Sequence, residues 1–186
     1  TLLGQDSIAR QDVDTQAAAE SAIRGRLLGN APSQRQINDI LSAYSEALSE
    51  IPALLPTVRE GLEFAGAQHM MVFVMTEGKL ERQRRALAEH GLTSLIANVW
   101  EMTKATAQFE RLRQRFAPAQ VVVIGDQLDR DIVPARDAGC EAVLVPSRFL
   151  PHWGAARDAQ IADHVASTFL AAVEWVASTL MPPKMV

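Results

Sequence analysis

The stretch VVVIGD, residues 121–126, constrains the fold of this chain more than any other. Four β-branched apolar residues precede Gly125, and Asp126 follows it directly. A short apolar run closed by glycine is typical of a strand buried in a parallel sheet. Open parallel sheets bind ligands just beyond the carboxyl ends of their strands. Asp126, Asp129 and Asp131 therefore indicate a binding corner, and their oxygen ligands suit a hard cation such as Mg²⁺.

From residue 51 onward, strand patterns alternate with helix patterns. Apolar runs predict strands at 69–76, 94–100, 121–126 and 141–146. Amphipathic stretches predict helices at 55–67, 80–91, 104–116, 129–139 and 165–179. This alternation predicts an α/β fold, a three-layer Rossmann-like sandwich built on a parallel sheet with right-handed crossovers.

Residues 1–50 have helical patterns only. The stretch 13–28 is rich in good helix formers, and Pro32-Ser33 opens a second amphipathic segment. We therefore predict a small helical unit at 1–50, an α/β core at 51–180 and a C-terminal tail at 181–186.

Composition narrows the class of protein. The net charge of −4 gives no sign of nucleic-acid or membrane-surface binding. No apolar segment approaches transmembrane length, and the first residues lack a signal-peptide pattern. Cys140 is the only cysteine and lies in an apolar run, so we expect a small core residue in a cytoplasmic protein.

Thr76, Glu77 and Gly78 follow the predicted strand at 69–76. A hydroxyl and main-chain N–H groups at a strand-to-helix turn can bind phosphate oxygens. Taken alone, Thr76 is more often simply a helix N-cap.

Lys104 opens the predicted helix at 104–116. A cation at a helix N-terminus opposes the macrodipole, and a bound phosphate would compensate. Taken alone, Lys104 is more often a solvated surface residue. Helix capping likewise accounts for Asp129 and Asp131, but it accounts less well for Asp126 at the strand end.

The order Thr76, Lys104 and GDxxxxD at 125–131 resembles the haloacid dehalogenase-like hydrolase superfamily. The stretches TEGKLERQRRALAEHGL and AGCEAVLVP are similar to segments of its phosphatase branch. The resemblance implies catalytic roles for Thr76 and Lys104 and a Mg²⁺ site at Asp126 and Asp131. It also implies phosphate binding by Thr76, Glu77, Gly78 and Lys104. Whether Asp129 or Asp131 is the second acid stays open.

The family's first motif, hhhDxDxTL, supplies a nucleophilic Asp from a strand before the helical cap. The chain begins with Thr1-Leu2, which matches the end of that motif, and we expect the preceding strand to lie upstream. Asp12-Val13-Asp14-Thr15 has similar letters, but no buried strand precedes it, so we interpret it as the polar start of a helix.

The resemblance implies a Mg²⁺-dependent phosphohydrolase that forms an aspartyl-phosphate and acts on a small phosphorylated metabolite, with residues 1–50 as a small cap. The alternative is a non-catalytic phosphate- or metal-binding module without the nucleophile. A receiver domain fits poorly, because receivers place their acidic pair before the Thr. A homodimer through the cap or the C-terminal helix is compatible with the sequence.

Overall fold

The computed structural model describes residues 33–49, 51–147 and 161–180. The chain divides into two units, one of residues 4–53 and one that contains residues 54–186. The predicted helix at 13–28, the Asp12–Thr15 stretch and the tail at 181–186 lie outside the described residues. The domain boundaries at 50 and 180 stay predictions.

The described part of the first unit is helix α1, Gln34–Ser49. It begins with a capping box, in which Ser33 Oγ accepts the Gln36 N–H at 3.3 Å and Gln36 Oε1 accepts the Ser33 N–H at 2.8 Å. Two N–H groups that would otherwise lack a partner are thereby satisfied. The start predicted at Pro32-Ser33 is confirmed.

The second unit alternates parallel strands with helices. The strands are β1 Phe73–Thr76, β2 Asn98–Glu101, β3 Val122–Gly125, β4 Glu141–Leu144 and β5 His164–Val165. The helices are α2 Val58–Ala67, α3 Leu80–Glu89, α4 Thr106–Phe116, α5 Val133–Asp137 and α6 Phe169–Leu180. Strands β1 and β2 form one parallel sheet, and a second has the order β3-β4-β5. The predicted parallel α/β fold is confirmed.

Some element boundaries differ from those predicted. Strand β1 begins at Phe73 rather than at residue 69, because His69 turns the chain with φ 61° and the Met70 N–H donates back to the Ala65 carbonyl. The segment predicted as a strand at 94–100 starts with a 3₁₀ turn, Thr93–Leu95. A π-helical turn, Leu128–Ile132, precedes α5.

Helices cover both faces of the β3-β4-β5 sheet. Alternating side chains of β4 point to opposite faces, as a strand requires. Ala142 and Leu144 pack with Phe109 and Ile132, whereas Val143 packs with residues of α6. Cys140 is buried in the first of these clusters, so its predicted core position is confirmed. Among the described helices, none is long and apolar enough to cross a membrane.

The glycines of α2 provide a matched test of helix packing. A Cβ at Gly61 would lie 2.6 Å from a ring carbon of Phe169 and 3.2 Å from the Leu170 Cα, whereas a Cβ at Gly66 would meet nothing within 4 Å. We expect Gly61→Ala to lower the free energy of unfolding by about 1–3 kcal/mol, because it separates α2 from α6. Gly66→Ala should raise it by about 0.5–1 kcal/mol through helix propensity. Urea unfolding of both variants checks this; equal effects would contradict the close approach.

Candidate active site

The predicted site residues lie beyond the carboxyl ends of the parallel strands. Thr76 ends β1, Lys104 follows β2, and Asp126 follows β3. Each of the two parallel sheets places its strand ends at one edge, which is where ligands bind in open α/β folds, and an ion pair between Lys104 and Asp131 joins the two edges.

Lys104 and Asp131 form a buried ion pair. Lys104 Nζ lies 2.6 Å from Asp131 Oδ1, and each side chain is only 5 % exposed. The two residues are 27 positions apart and come from different loops, so the pair joins the end of β2 to the turn after β3. Removing both charges from water is costly, and the close contact offsets that cost. The surface-lysine interpretation of Lys104 is therefore wrong, because an acid compensates its charge in the interior.

The fold of the GD segment explains how Asp131 reaches this position. The π-helical turn brings the Asp131 side chain back over Gly125, where an added Cβ would lie 2.4 Å from Asp131 Cβ. Asp131 Oδ2 also accepts the Gln127 N–H at 3.1 Å. Only glycine leaves room at position 125, so the glycine that marks the strand end in the sequence also makes space for the acid.

Asp126 lies beside this pair with one oxygen unpartnered. Its Oδ1 is buried and has no hydrogen-bond partner among the described residues. Desolvation by burial raises the pKa of the Asp126 carboxyl, and the nearby Asp131 raises it further, whereas Lys104 lowers it. An orphaned buried carboxylate oxygen favours a cation as its partner.

Thr76 is 1 % exposed, and its hydroxyl is held in a local turn. The Gly78 N–H donates to Thr76 Oγ1 at 3.0 Å. Because that bond uses the oxygen as an acceptor, the hydroxyl hydrogen stays free to donate. The Gly78 N–H, predicted to bind phosphate, is engaged with Thr76 in this arrangement.

Glu77 joins two loops of the site through its carboxylate. Oε1 accepts the Lys104 N–H at 2.9 Å, and Oε2 lies 2.5 Å from Arg130, whose side chain is 58 % exposed. The sequence predicts Glu77 only as part of a phosphate-binding turn and indicates neither contact. No local pattern indicates them, because the partners lie 27 and 53 residues away.

Asp126 is the main reason to expect a metal ion at this site. Within the described ranges, no group of three or more His, Cys, Asp or Glu side chains is arranged to hold a metal. The unpartnered Asp126 Oδ1 is nonetheless suited to a hard cation. Asp131 has Lys104 and Gln127 as its contacts, so a role in positioning Lys104 agrees with the geometry better than direct ligation. Asp129 is exposed.

We expect Asp131→Asn to destabilise the protein by about 3–5 kcal/mol, because it leaves the buried Lys104 ammonium without its counter-charge. The matched control Asp129→Asn, two residues earlier and exposed, should change the free energy of unfolding by less than about 0.5 kcal/mol. Chemical denaturation at neutral pH measures both. Similar values for the two variants would contradict the buried pair.

Comparisons with known proteins agree with this geometry. The sequence model of the HAD-hydrolase-like family matches residues 78–172, just over half of the chain. Comparison with curated proteins gives no match.

Solved structures share the fold. A haloacid dehalogenase-like family hydrolase from Xanthomonas campestris is 21 % identical, with a TM-score of 0.65 over 83 % of this chain and 67 % of that one. A protein described as a predicted phosphoglycolate phosphatase from Haemophilus somnus is 24 % identical, with a TM-score of 0.63 over 88 % and 76 %. A HAD hydrolase from Bacillus subtilis bound to magnesium is 15 % identical, with a TM-score of 0.54 over 97 % and 86 %. With a matching family model, a parallel α/β fold and Thr76, Lys104 and Asp126 at its strand ends, the chain belongs to the HAD-hydrolase-like family.

Proposed function

We propose that the complete protein is a Mg²⁺-dependent phosphohydrolase that acts on a small phosphorylated metabolite in the cytoplasm. The observation that carries this proposal is the buried Lys104–Asp131 pair beside the unpartnered oxygen of Asp126. This corner combines a fixed cation with a carboxylate that has one buried oxygen without a partner among the described residues. When a carboxylate attacks a phosphoryl group, both reactants are anions. The cation balances their charge, and the second carboxylate can hold a metal ion that does the same.

In the proposed reaction, the nucleophile is an Asp on a strand upstream of Thr1. Its carboxylate oxygen forms a bond to phosphorus while the bond from phosphorus to the substrate oxygen breaks, and the leaving oxygen takes a proton from water to depart as the alcohol. Water then attacks the aspartyl-phosphate, releases inorganic phosphate and restores the carboxylate. Covalent catalysis thus divides one difficult displacement into two easier ones.

Thr76 and Lys104 would hold the phosphoryl oxygens during both steps. The Thr76 hydroxyl can donate because its oxygen already accepts from Gly78. The Lys104 ammonium balances the negative charge, and Asp131 fixes it in place at 2.6 Å. A group that is already oriented needs no reorganisation when charge develops on the phosphoryl oxygens.

Asp126 is the residue that would hold Mg²⁺, and Asp131 adds negative charge close by. When bound, the ion neutralises charge between the two reacting anions. The buried Oδ1 of Asp126, which has no partner among the described residues, would then be a metal ligand. The protein's own contribution is to keep this carboxylate desolvated at the end of β3.

We expect Asp126→Asn to abolish Mg²⁺-dependent hydrolysis of p-nitrophenyl phosphate by the complete protein, because the amide cannot replace an anionic ligand. The variant should also lose stabilisation by Mg²⁺, which for the parent protein reaches about 2.7 kcal/mol at 100 times the dissociation constant. Thermal unfolding with and without MgCl₂ measures the second effect independently of turnover. Asp129→Asn is the matched control and should keep both properties.

Without metal, Asp126→Asn should be at least as stable as the parent above neutral pH. The pKa of Asp126 is raised in the folded state, so ionisation of the carboxyl opposes folding as pH rises through the unfolded and then the folded pKa.

Undiminished hydrolysis by the variant would overturn the metal assignment. Stabilisation of the parent by Mg²⁺ without any hydrolysis would favour the non-catalytic binding module.

A further inference from the structure

Glu77 is the acid at which three loops of the candidate site meet. It follows β1, and its Oε1 accepts the main-chain N–H of Lys104, in the loop after β2, at 2.9 Å. Its Oε2 lies 2.5 Å from Arg130 Nη1, in the turn after β3. A carboxylate with a charged or N–H partner on each oxygen cannot rotate without losing one of these bonds. The Glu77 carboxylate is therefore fixed between two loops.

Lys104 is fixed at both ends of its side chain. The ammonium lies 2.6 Å from Asp131 Oδ1, and the main-chain nitrogen donates to Glu77. A lysine side chain is long and flexible, so an anchor on the ammonium alone does not determine where its main chain lies. The consecutive residues Arg130 and Asp131 provide both anchors, the first through Glu77 and the second directly. Lys104 thus depends on the turn after β3 at two points.

A second acid, Glu101, joins the same two loops in the opposite direction. Its Oε2 accepts the N–H of Leu80, the first residue of α3, at 2.8 Å. This bond satisfies one N–H group of a helix start and places a negative charge at the positive helix end, so helix capping accounts for Glu101. Capping does not account for Glu77, because Lys104 lies before Ala105, the N-cap of α4.

Arg130 acts locally rather than on the whole fold. Its side chain is 58 % exposed, and exposed ion pairs contribute little to overall stability. The pair instead holds Glu77 Oε2, which leaves Oε1 directed at Lys104. Arg130 also compensates the charge of Glu77, which would otherwise oppose an anion at the neighbouring Thr76 hydroxyl. Both effects favour a role in the site.

We propose that Glu77 is a positioning residue for Lys104 and that Arg130 keeps the Glu77 carboxylate in place. Both side chains act through Lys104, and neither contacts the substrate. The consequence for turnover rests on the proposed function, in which Lys104 balances charge on the phosphoryl oxygens. If the main chain at Lys104 shifts, the ammonium is displaced from that charge, and a displacement of about 1 Å can cost about a hundred-fold in rate.

Amide exchange of the complete protein tests the contact itself without turnover. In Glu77→Ala, the Lys104 amide should exchange at least about ten-fold faster, because it loses a hydrogen bond to a charged acceptor. Glu77→Gln keeps an oxygen acceptor, so the Lys104 amide should stay within about three-fold of the parent rate. Glu101→Ala is the matched control, which should accelerate exchange of the Leu80 amide and leave the Lys104 amide unchanged.

Arg130→Gln tests the second part of the proposal, at a side chain exposed enough to be replaced without unfolding the protein. The Lys104 amide should exchange about two- to five-fold faster, as the loss of an exposed ion pair predicts. In the Glu77→Ala background, Arg130→Gln should change neither this rate nor kcat, because the connection to Lys104 is already broken. Arg130→Lys keeps the charge and should resemble the parent.

Hydrolysis of p-nitrophenyl phosphate measures the effect on turnover. Glu77→Ala should lower kcat about ten- to a hundred-fold and change KM by less than about three-fold, because the orientation of Lys104 matters most when charge develops in the transition state. Glu77→Gln should restore most of kcat. Glu101→Ala should keep the parent kcat, whereas a general loss of loop stability would lower kcat in both alanine variants.

Three results overturn the proposal. One is an unchanged Lys104 amide in Glu77→Ala or Arg130→Gln, and the latter decides alone if Glu77→Ala does not fold. Another is an equal loss of kcat in Glu77→Ala and Glu101→Ala. The third is a rise in KM of about ten-fold or more on Arg130→Gln in both backgrounds, which indicates direct substrate binding. Faster Lys104 exchange in a protein without hydrolysis contradicts only the proposed function, and hydrolysis with an unchanged Lys104 amide contradicts only the role of Glu77.

Discussion

The buried ion pair between Lys104 and Asp131 is the interaction on which the candidate site depends. Each charge would be strongly unfavourable alone in the interior, so each fixes the position of the other. The pair connects the turn after β3 to the loop after β2, and Glu77 joins the same loop to Arg130. Three chain segments that are distant in sequence are thereby held around one point. Such advance ordering would favour binding of the doubly charged phosphoryl group in the proposed function, because the ordering cost is met during folding.

The same region shows how sterics and electrostatics act together. Gly125 has no side chain, so Asp131 can fold back over it, and only from there does its carboxylate reach Lys104. Asp126, the residue after Gly125, has one oxygen without a partner among the described residues, and burial raises the pKa of its carboxyl. Two acids in one short motif therefore have different environments. One is neutralised by a lysine, and the other is available to a cation.

Much of the fold could be predicted because its signals are local. Apolar runs of four to six residues, glycine at strand and helix ends, and the capping sequence at Ser33 each depend on neighbours within one turn or strand. The candidate residues Thr76, Lys104 and Asp126 were also predicted, since each follows a recognisable strand. The partners of Asp131 and Glu77 were not predicted. Their contacts join residues 27 or more positions apart, and no periodic pattern encodes which loops meet.

The sequence by itself determined the alternation of strands and helices, and with it parallel strands whose carboxyl ends carry Thr76, Lys104 and the GD motif. This follows because hydrophobic periodicity and turn residues act over short distances. Only the tertiary structure decided that Asp131 holds Lys104, while one oxygen of Asp126 has no partner among the described residues. Burial and pairing depend on which distant segments come together, and that is a property of the packed chain.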